Sequence, residues 1–318
     1  MAFLKTVAAF TIIFVLAVAG YGFYYYAGNG PLAADTTIIF KRGEGFQGIT
    51  QDMLQRGIIS DPLLFKAIAV ASGEYRKFKP GEYHFTAAIS PAQVIDMVSH
   101  GRVVVHKLTI PEGLTVEQVV GLLNDEKTLD GNIVQPIPEG SLLPETYHFT
   151  YGDKRQDLIN RMRSDMTTQL TGLWEHRKEG LPFSTPEQAL VLASIVEKET
   201  GVDGERGRVA SVFINRLRKG MKLQSDPTTA YGLGKPGTAL TNADLQSNTP
   251  YNTYVISGLP PTPIANPGRA ALLATLNPPD TNDLYFVATG SGGHNFAATL
   301  AEHNENVKEY RQKIAEKR

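Results

Sequence analysis

The most informative absences from this chain are cysteine and an excess of charge of either sign. With no cysteine in 318 residues, the sequence excludes a disulfide framework, a zinc–thiolate site and a cysteine nucleophile. The 31 basic and 32 acidic residues leave a net charge of −1. Because no basic field would attract a polyanion, nucleic acid is not predicted as a partner.

The patterns that usually bind metals or cofactors are also missing. His294 and His303 lack the HExxH spacing that places two histidines on one helix face, so no metal site is predicted. The stretch GLGKPG at 232–237 follows no predicted strand and carries Pro236 where a helix would have to begin, which argues against a dinucleotide site. We therefore expect no cofactor.

A long uncharged run near the N-terminus is the clearest feature that is present. Residues 6–26, TVAAFTIIFVLAVAGYGFYYY, would form a helix of about 31 Å, close to the thickness of the hydrocarbon core of a bilayer. The alternative is a cleaved signal peptide, since AVA at 17–19 has the form of a cleavage site. The apolar run continues past that point, so we expect an uncleaved membrane anchor. Lys5 favours a cytoplasmic N-terminus at 1–5, with residues 27–318 outside the cytoplasm.

After a small, polar linker at 27–36, the spacing predicts a small α+β unit at 37–106. It comprises strands near 37–41 and 82–86, a helix that begins at Asp61-Pro62 and a helix with Ser90 as N-cap. A similar pattern of extended segment, glycine turn and amphipathic helix recurs 70 residues later. It indicates either a duplicated unit or a chance similarity.

The rest of the chain, 107–318, is predicted to form a second, mainly helical domain. One helix begins with Thr185 as N-cap, Pro186 at the first position and Gln188 closing a capping box. An amphipathic helix follows at 205–217 and ends before Gly220. The stretch 221–295 is loop-rich, and 297–318 predicts a polar helix.

Two acids near the end of the helix that begins at Thr185 are the first candidates for chemistry. On a helical wheel, Glu199 lies roughly 50° from the centre of the apolar face, Glu197 roughly 110° and Lys198 roughly 150°. A carboxyl against apolar walls has a raised pKa, as a general acid requires at neutral pH. Alternatively, both acids are surface charges, with Glu197 paired to a nearby Arg or Lys.

Six segments carry a resemblance to a known family. They are LASIVEKET (192–200), ERGRVASVFINRL (205–217), LQSDPTTAYG (223–232), YNTYVISGLPPTPIANPG (251–268), LYFVATGSGGHNF (284–296) and HNENVKEYR (303–311). In these segments, and over nearly its whole length, the sequence resembles the endolytic murein transglycosylase family (MltG, YceG-like). The resemblance implies an α+β fold with a transmembrane helix, a LysM-like module at 37–106 and a lysozyme/transglycosylase-like catalytic domain at 107–318.

The resemblance also implies an activity: cleavage of the β-1,4 bond between N-acetylmuramic acid and N-acetylglucosamine with formation of a 1,6-anhydro ring. The family's catalytic glutamate precedes Ser or Thr, which is Glu199 before Thr200 in this sequence. One acid is sufficient, because the sugar's own C6 hydroxyl replaces the water that an ordinary glycosidase must activate. Glu145 falls where many family members have aspartate, and its role is left open.

The residues expected to contact the sugar lie directly after Glu199 and in two segments of the loop-rich stretch. The candidates are Thr200, Gln224, Ser225, Asp226, Tyr251, Asn252 and Tyr254. For each of these the alternative is a structural role, with Asp226 in turn chemistry and the tyrosines in packing. The prolines of GLPPTPI at 258–264 are expected to stiffen one wall of a groove.

As a member of this family the protein would be a single-pass inner-membrane protein with its catalytic domain in the periplasm. Glycan strands of peptidoglycan would be its substrate, the termination of nascent strands its role, and peptidoglycan synthases its candidate partners. Two other functions stay open: a catalytically silent scaffold that binds peptidoglycan, and a hydrolase of the same bond.

Overall fold

The computed structural model describes residues 2–316 as a mixture of helices and three two-stranded sheets. Residue 1 of the predicted cytoplasmic segment and residues 317–318 of the predicted C-terminal helix lie outside that range. The strands are β1 (Thr36–Phe40), β2 (Gly81–Phe85), β3 (Val105–Thr109), β4 (Thr146–Thr150), β5 (Tyr285–Ala288) and β6 (His294–Ala297). The helices are α1 (Ala2–Ala27), α2 (Phe46–Gln55), α3 (Pro62–Ala71), α4 (Pro91–His100), α5 (Val116–Asp125), α6 (Arg155–Glu175), α7 (Pro186–Glu199), α8 (Arg206–Arg218), α9 (Asp226–Gly232), α10 (Asn242–Leu245), α11 (Arg269–Leu276) and α12 (Leu300–Glu316).

The chain divides into two compact units. The first ends at His106 and also takes in Thr128–Asp130 and His148–Asp153, two short pieces of the segment predicted as the catalytic domain. The second unit contains the remaining residues from Lys107 onward. Both units combine helix and sheet, and the likeness of the first to a LysM module stays a prediction.

Helix α1 has the length and composition of a membrane span. Its segment Phe3–Ala27 has a mean hydropathy of 2.2, and none of it is buried in the protein. An apolar helix that leaves its side chains uncovered needs an apolar surrounding, which a bilayer supplies. Near the end of α1, the Tyr25 hydroxyl donates to the carbonyl oxygen of Asp61 over 2.9 Å, which ties the helix to the first unit.

The rest of the first unit is built on the antiparallel pair β1–β2, in which Thr36 lies opposite Phe85 and Phe40 opposite Gly81. Alternate side chains of both strands are buried, as expected for strands with one face on a core. Helices α2, α3 and α4 cover that face with apolar side chains. The predicted starts of α3 and α4 are confirmed, since Asp61 and Ser90 both cap their helices through side-chain oxygens.

The core of the second unit lies among α6, α7, α8 and α11. Helix α7 contributes Ala189 and every residue from Val191 to Val196 to the buried interior. Thr185 caps α7 as predicted, accepting from the Gln188 amide, and Pro186 opens the helix. The predicted return bond of the capping box is displaced by one residue, because the Gln188 side chain accepts from the amide of Ser184. The sequence analysis missed the hairpin β5–β6, whose arms are joined across the GSGG turn.

Candidate active site

Helix α7 ends at Glu199 and places its carboxyl half-buried in the second unit. The Ser225 hydroxyl donates to Glu199 Oε1 over 2.5 Å. Burial raises the pKa of Glu199 to about 7, and the negative charge of Asp226 adds to the increase. The Ser225 hydrogen bond and the positive charge of Arg216 act in the opposite direction. A carboxyl with this pKa is populated in both protonation states near neutral pH, so it can first donate and then accept a proton.

Ser225 is held in place by two buried threonines. Its amide donates to Thr253 Oγ1 over 2.9 Å, and its carbonyl oxygen accepts from Thr228 Oγ1 over 2.7 Å. The two threonine hydroxyls are themselves 2.8 Å apart. Ser225 is 1% exposed, so its hydroxyl is held against the Glu199 carboxyl inside the protein.

Gln224, the residue before Ser225, is exposed and adopts a φ of +51°. That left-handed conformation is unfavourable for a residue with a Cβ, and strained residues of this kind cluster at active sites and ligand-binding turns. The Gln224 amide donates to the Thr253 carbonyl over 3.1 Å, which holds the turn closed. The Gln224 side-chain oxygen also accepts from Arg216 over 3.4 Å, and the sugar contact of Gln224 stays a prediction.

Arg216 holds this turn in place through hydrogen bonds from its buried side chain, and it was not among the residues predicted from the sequence. Its guanidinium donates to the carbonyl oxygens of Leu223 over 2.8 Å and Leu284 over 2.6 Å, and it is 7% exposed. Burial lowers the pKa of Arg216, and the nearby Tyr285, Tyr254 and Glu199 oppose that shift. An arginine on the buried face of α8 was the available signal, because an arginine is almost never fully buried unless it is paired.

Asp226 and Tyr254 meet directly, since the Tyr254 hydroxyl donates to Asp226 Oδ1 over 2.6 Å. Burial raises the pKa of the Tyr254 phenol, as does its bond to Asp226, so the hydroxyl keeps its proton. Asp226 is exposed, and its second oxygen is available to a ligand. Tyr251 lies three residues before Tyr254, and its hydroxyl is 2.8 Å from Thr262 Oγ1 in the proline-rich segment.

Two predicted sugar-binding residues are placed inside the protein. Asn252 is fully buried, and its amide nitrogen donates to the Ser247 carbonyl over 2.7 Å while its oxygen accepts from Thr229 over 3.0 Å. Thr200 is 4% exposed, and its hydroxyl oxygen accepts from the Val202 amide over 3.1 Å. Both residues fix loops of the site, and neither is presented to a glycan.

Glu197 is more enclosed than the helical wheel indicated. Its side chain is 5% exposed, lies 3.7 Å from Arg206 Nη2, and accepts from the Gly268 amide over 2.9 Å. A wheel describes only α7 and cannot include the neighbouring elements that cover this position. Burial raises the pKa of Glu197, but its partners are the start of α11 and the half-buried Arg206. Glu197 therefore anchors the helix end, as in the alternative of local pairing with an arginine.

Two other acids of the second unit, Glu139 and Glu145, differ in their burial. Glu145 is exposed on the loop before β4, whereas Glu139, which the sequence analysis missed, is half-buried. Burial raises the pKa of Glu139, and its carboxylate accepts from the amides of Val116 and Gly140 and from the Tyr231 hydroxyl. Within residues 2–316 no group of three or more acidic or histidine side chains is arranged to hold a metal ion.

We predict that Ser225→Ala moves the alkaline limb of the pH–activity profile upward by about one pH unit or less. A hydrogen bond to a charged group contributes about 1.5–3 kcal/mol in total, but only the part by which it favours the ionised over the protonated form of Glu199 shifts the pKa. Without that bond Glu199 stays protonated to higher pH. The measurement is the initial rate from pH 5 to 9, with the exposed Ser257→Ala as control. An unchanged limb would contradict direct contact between Ser225 and the working acid.

The second unit thus presents one carboxyl at a helix end, with a pKa near neutrality and a serine donor on its oxygen. The protein therefore combines an apolar N-terminal helix with a mainly helical unit that holds a half-buried carboxyl of raised pKa. The model of the YceG-like family matches residues 38–309, and the chain belongs to this family.

The relatives of known name agree with this assignment. The chain is 30% identical to the endolytic murein transglycosylase of Bacillus subtilis, with 73% of each chain covered. It is 28% identical to the endolytic murein transglycosylase of Streptococcus pneumoniae, covering 96% of this chain and 65% of the pneumococcal one. The crystal structure of a yceG-like protein from Listeria monocytogenes aligns with a TM-score of 0.54 and 29% identity, over 86% of this chain and 99% of that one.

Proposed function

We propose that this protein is a membrane-anchored lytic transglycosylase that cuts peptidoglycan within its glycan strands. The observation that carries the proposal is the half-buried carboxyl of Glu199, with a pKa of about 7 and a serine donor on one oxygen. The name shared by the Bacillus and Streptococcus relatives supports the choice of murein as substrate.

In the first step, protonated Glu199 donates its proton to the glycosidic oxygen as the bond from C1 of N-acetylmuramic acid breaks. In the second step, the resulting carboxylate takes the proton of the C6 hydroxyl of the same sugar, and O6 bonds to C1. One C–O bond is broken and one is formed, the proton returns to Glu199, and no water is consumed. Because O6 is part of the same sugar, its attack is intramolecular and is favoured by proximity.

Charge develops on the sugar ring between these two steps, and the site has an anion that can stabilise it. Asp226 is exposed beside the turn that carries Ser225, and the Tyr254 hydroxyl fixes its orientation. Negative groups aimed at a developing positive charge lower the barrier most when they are already in place. In this proposal Glu199 transfers the proton, Asp226 stabilises the positive charge on the sugar ring, and Gln224 and Tyr251 contact the sugar.

The mass of the products tests this proposal. Purified protein acting on isolated sacculi is expected to release fragments that end in 1,6-anhydro-N-acetylmuramic acid, which are 18 mass units lighter than hydrolytic fragments because no water is added. A hydrolase of the same bond would give only the heavier, reducing ends. A silent scaffold would sediment with the sacculi and release nothing, and either result would overturn the assignment.

We further propose that α1 stays in the inner membrane and that the two units lie in the periplasm, next to nascent strands and their synthases. The apolar length of α1 and the single lysine near its start support this orientation. Protease added to spheroplasts should then degrade the part of the chain beyond Ala27. Full protection of this part of the chain in intact spheroplasts would contradict the proposed orientation.

A further inference from the structure

A cavity of about 370 Å³ lies beside Glu199 in the second unit. Lys198, which precedes Glu199, and Asp226, which follows Ser225, both line it. Because consecutive Cα atoms are about 3.8 Å apart, the cavity begins within a residue or two of the acid. Glu199 itself is not among the lining residues, so the cavity is lined by the chain neighbours of Glu199 and of Ser225 and does not enclose the carboxyl.

The walls of this cavity combine charges of both signs with small apolar surfaces. The ammonium of Lys198 and the carboxylate of Asp226 supply the charges, while Leu240 and Ile264 supply apolar surface. In the proposed mechanism Asp226 faces the positive charge that develops on the sugar ring, but a neutral sugar has no charged group to pair with the Lys198 ammonium. A short peptide carries carboxylates, amides and aliphatic side chains together, and the volume lies in the lower part of the range of about 300–1,000 Å³ for ligand pockets.

Lys198 is already oriented for such a contact. Its Nζ donates to the carbonyl oxygen of Gly113 over 3.1 Å, which fixes the ammonium although the side chain is exposed. An ammonium group has three N–H donors, so two remain for a carboxylate. Holding the side chain in advance reduces the entropy lost when a ligand binds.

The opposite wall is held by Glu139, which the proposed mechanism does not use. Its carboxylate accepts from the Val116 amide over 2.9 Å and from the Tyr231 hydroxyl over 3.3 Å. The ring of Tyr231 meets that of Tyr251 edge to face, with centroids 5.0 Å apart. These contacts keep Tyr231 at the cavity wall, so the cavity is formed before any ligand arrives.

We propose that this cavity, called the branch cavity here, binds the peptide branch of the glycan and that Lys198 pairs with a carboxylate of the branch. The inference rests on the proposed function. N-acetylmuramic acid carries its peptide on the same sugar ring whose C1 bond is cut, so a site for the branch must lie close to the acid. The branch cavity meets this requirement, and the enzyme then selects strands that carry peptides.

The test compares two forms of one substrate: glycan strands with their peptides, and the same strands after an amidase has removed the peptides. The wild-type kcat/KM is expected to be higher on the peptide-bearing strands. Lys198→Gln should lower the ratio of the two kcat/KM values about tenfold, the factor that corresponds to 1.4 kcal/mol and the lower end expected for a charge-assisted contact. Lys219→Gln, an exposed lysine after α8, is the matched control and should keep the wild-type ratio.

A second variant guards against a local disturbance of Glu199. Thr238 is exposed and lines the branch cavity away from α7, so Thr238→Trp should fill the cavity and lower the same ratio. The proposal that the branch cavity binds the peptide would be overturned by either of two results. One is a wild-type protein with no preference for peptide-bearing strands, and the other is a wild-type ratio of the two kcat/KM values in both variants. Wild-type protein that forms no anhydro product from either substrate would instead overturn the proposed function.

Discussion

Glu199→Gln is expected to lower the rate of 1,6-anhydro product formation at least 1,000-fold, within the 10²–10⁴ range for loss of one general acid–base group at each of two steps. Glutamine can still accept the Ser225 hydrogen bond but can neither donate a proton to the leaving oxygen nor remove one from O6. The measurement is mass spectrometry of soluble fragments from sacculi over time. Glu187→Gln, at an exposed position in the first turn of α7, is the matched control and should act within about twofold of wild type.

Thermal unfolding shows whether the Glu199→Gln protein is folded, and it also tests the raised pKa. A carboxyl whose pKa is raised from about 4.3 in the unfolded chain to about 7 in the folded one binds more protons when folded. Its contribution to stability is therefore neutral at low pH and becomes unfavourable as the pH rises from about 4 to 7. The variant should gain about 3 kcal/mol relative to wild type between pH 4 and pH 8. If the Tm difference between variant and wild type is the same at pH 4 and pH 8, the pKa of Glu199 is not raised. If the variant keeps wild-type activity, Glu199 is not the acid–base group.

Arg216→Met is expected to lower the free energy of unfolding by about 3–4 kcal/mol, because each buried polar group left without a partner costs about 1–3 kcal/mol. The guanidinium satisfies the carbonyls of Leu223 and Leu284, and methionine of similar length cannot. Urea unfolding measures the change. Arg218→Met is the matched control: Arg218 is exposed and donates to Gly180 over 3.0 Å, so its loss should cost less than about 1 kcal/mol.

The same variant also separates positioning of the site from simple support of the fold. Arg216 carries a positive charge that lowers the pKa of Glu199. Its removal should therefore move the alkaline limb of the pH–activity profile to higher pH. At a temperature where the variant is fully folded, we also expect about a 100-fold lower rate, since a displacement of about 1 Å has such an effect. A variant that loses stability but keeps the wild-type pH profile would leave Arg216 with a purely structural role.

Local signals in the sequence predicted most of the elements. The glycine-containing turns with positive φ at Gly43 and Gly113 each separate a strand from a helix, β1 from α2 and β3 from α5, at the offset of 70 residues that the sequence indicated. Such features depend on residues within one turn or one helix, where capping and backbone preference decide the structure. The β5–β6 hairpin was missed because the four-residue turn GSGG sits in a stretch so rich in glycine that no single turn type stands out.

The contacts of the site could not be predicted in the same way. The wheel placed Glu199 on the buried side of α7, but it could not show that Ser225 donates to it from 26 residues further along the chain. It also underestimated the burial of Glu197, which α11 and Arg206 enclose. The sequence grouped Asn252 with Tyr254 as sugar-binding residues, whereas the fold turns Asn252 inward to hold its loop. Each difference arises from contacts between distant segments.

The amino-acid sequence by itself determined the apolar helix, the order of most helices, the absence of thiol chemistry and the position of Glu199 on the buried side of α7. These properties follow from composition and from periodicity within single elements. Only the tertiary structure decided the pKa of Glu199, the serine that donates to it, the buried arginine beneath the turn and the cavity beside Lys198. Desolvation and hydrogen bonding depend on which atoms surround a group in three dimensions, and residues far apart in sequence supply most of those atoms.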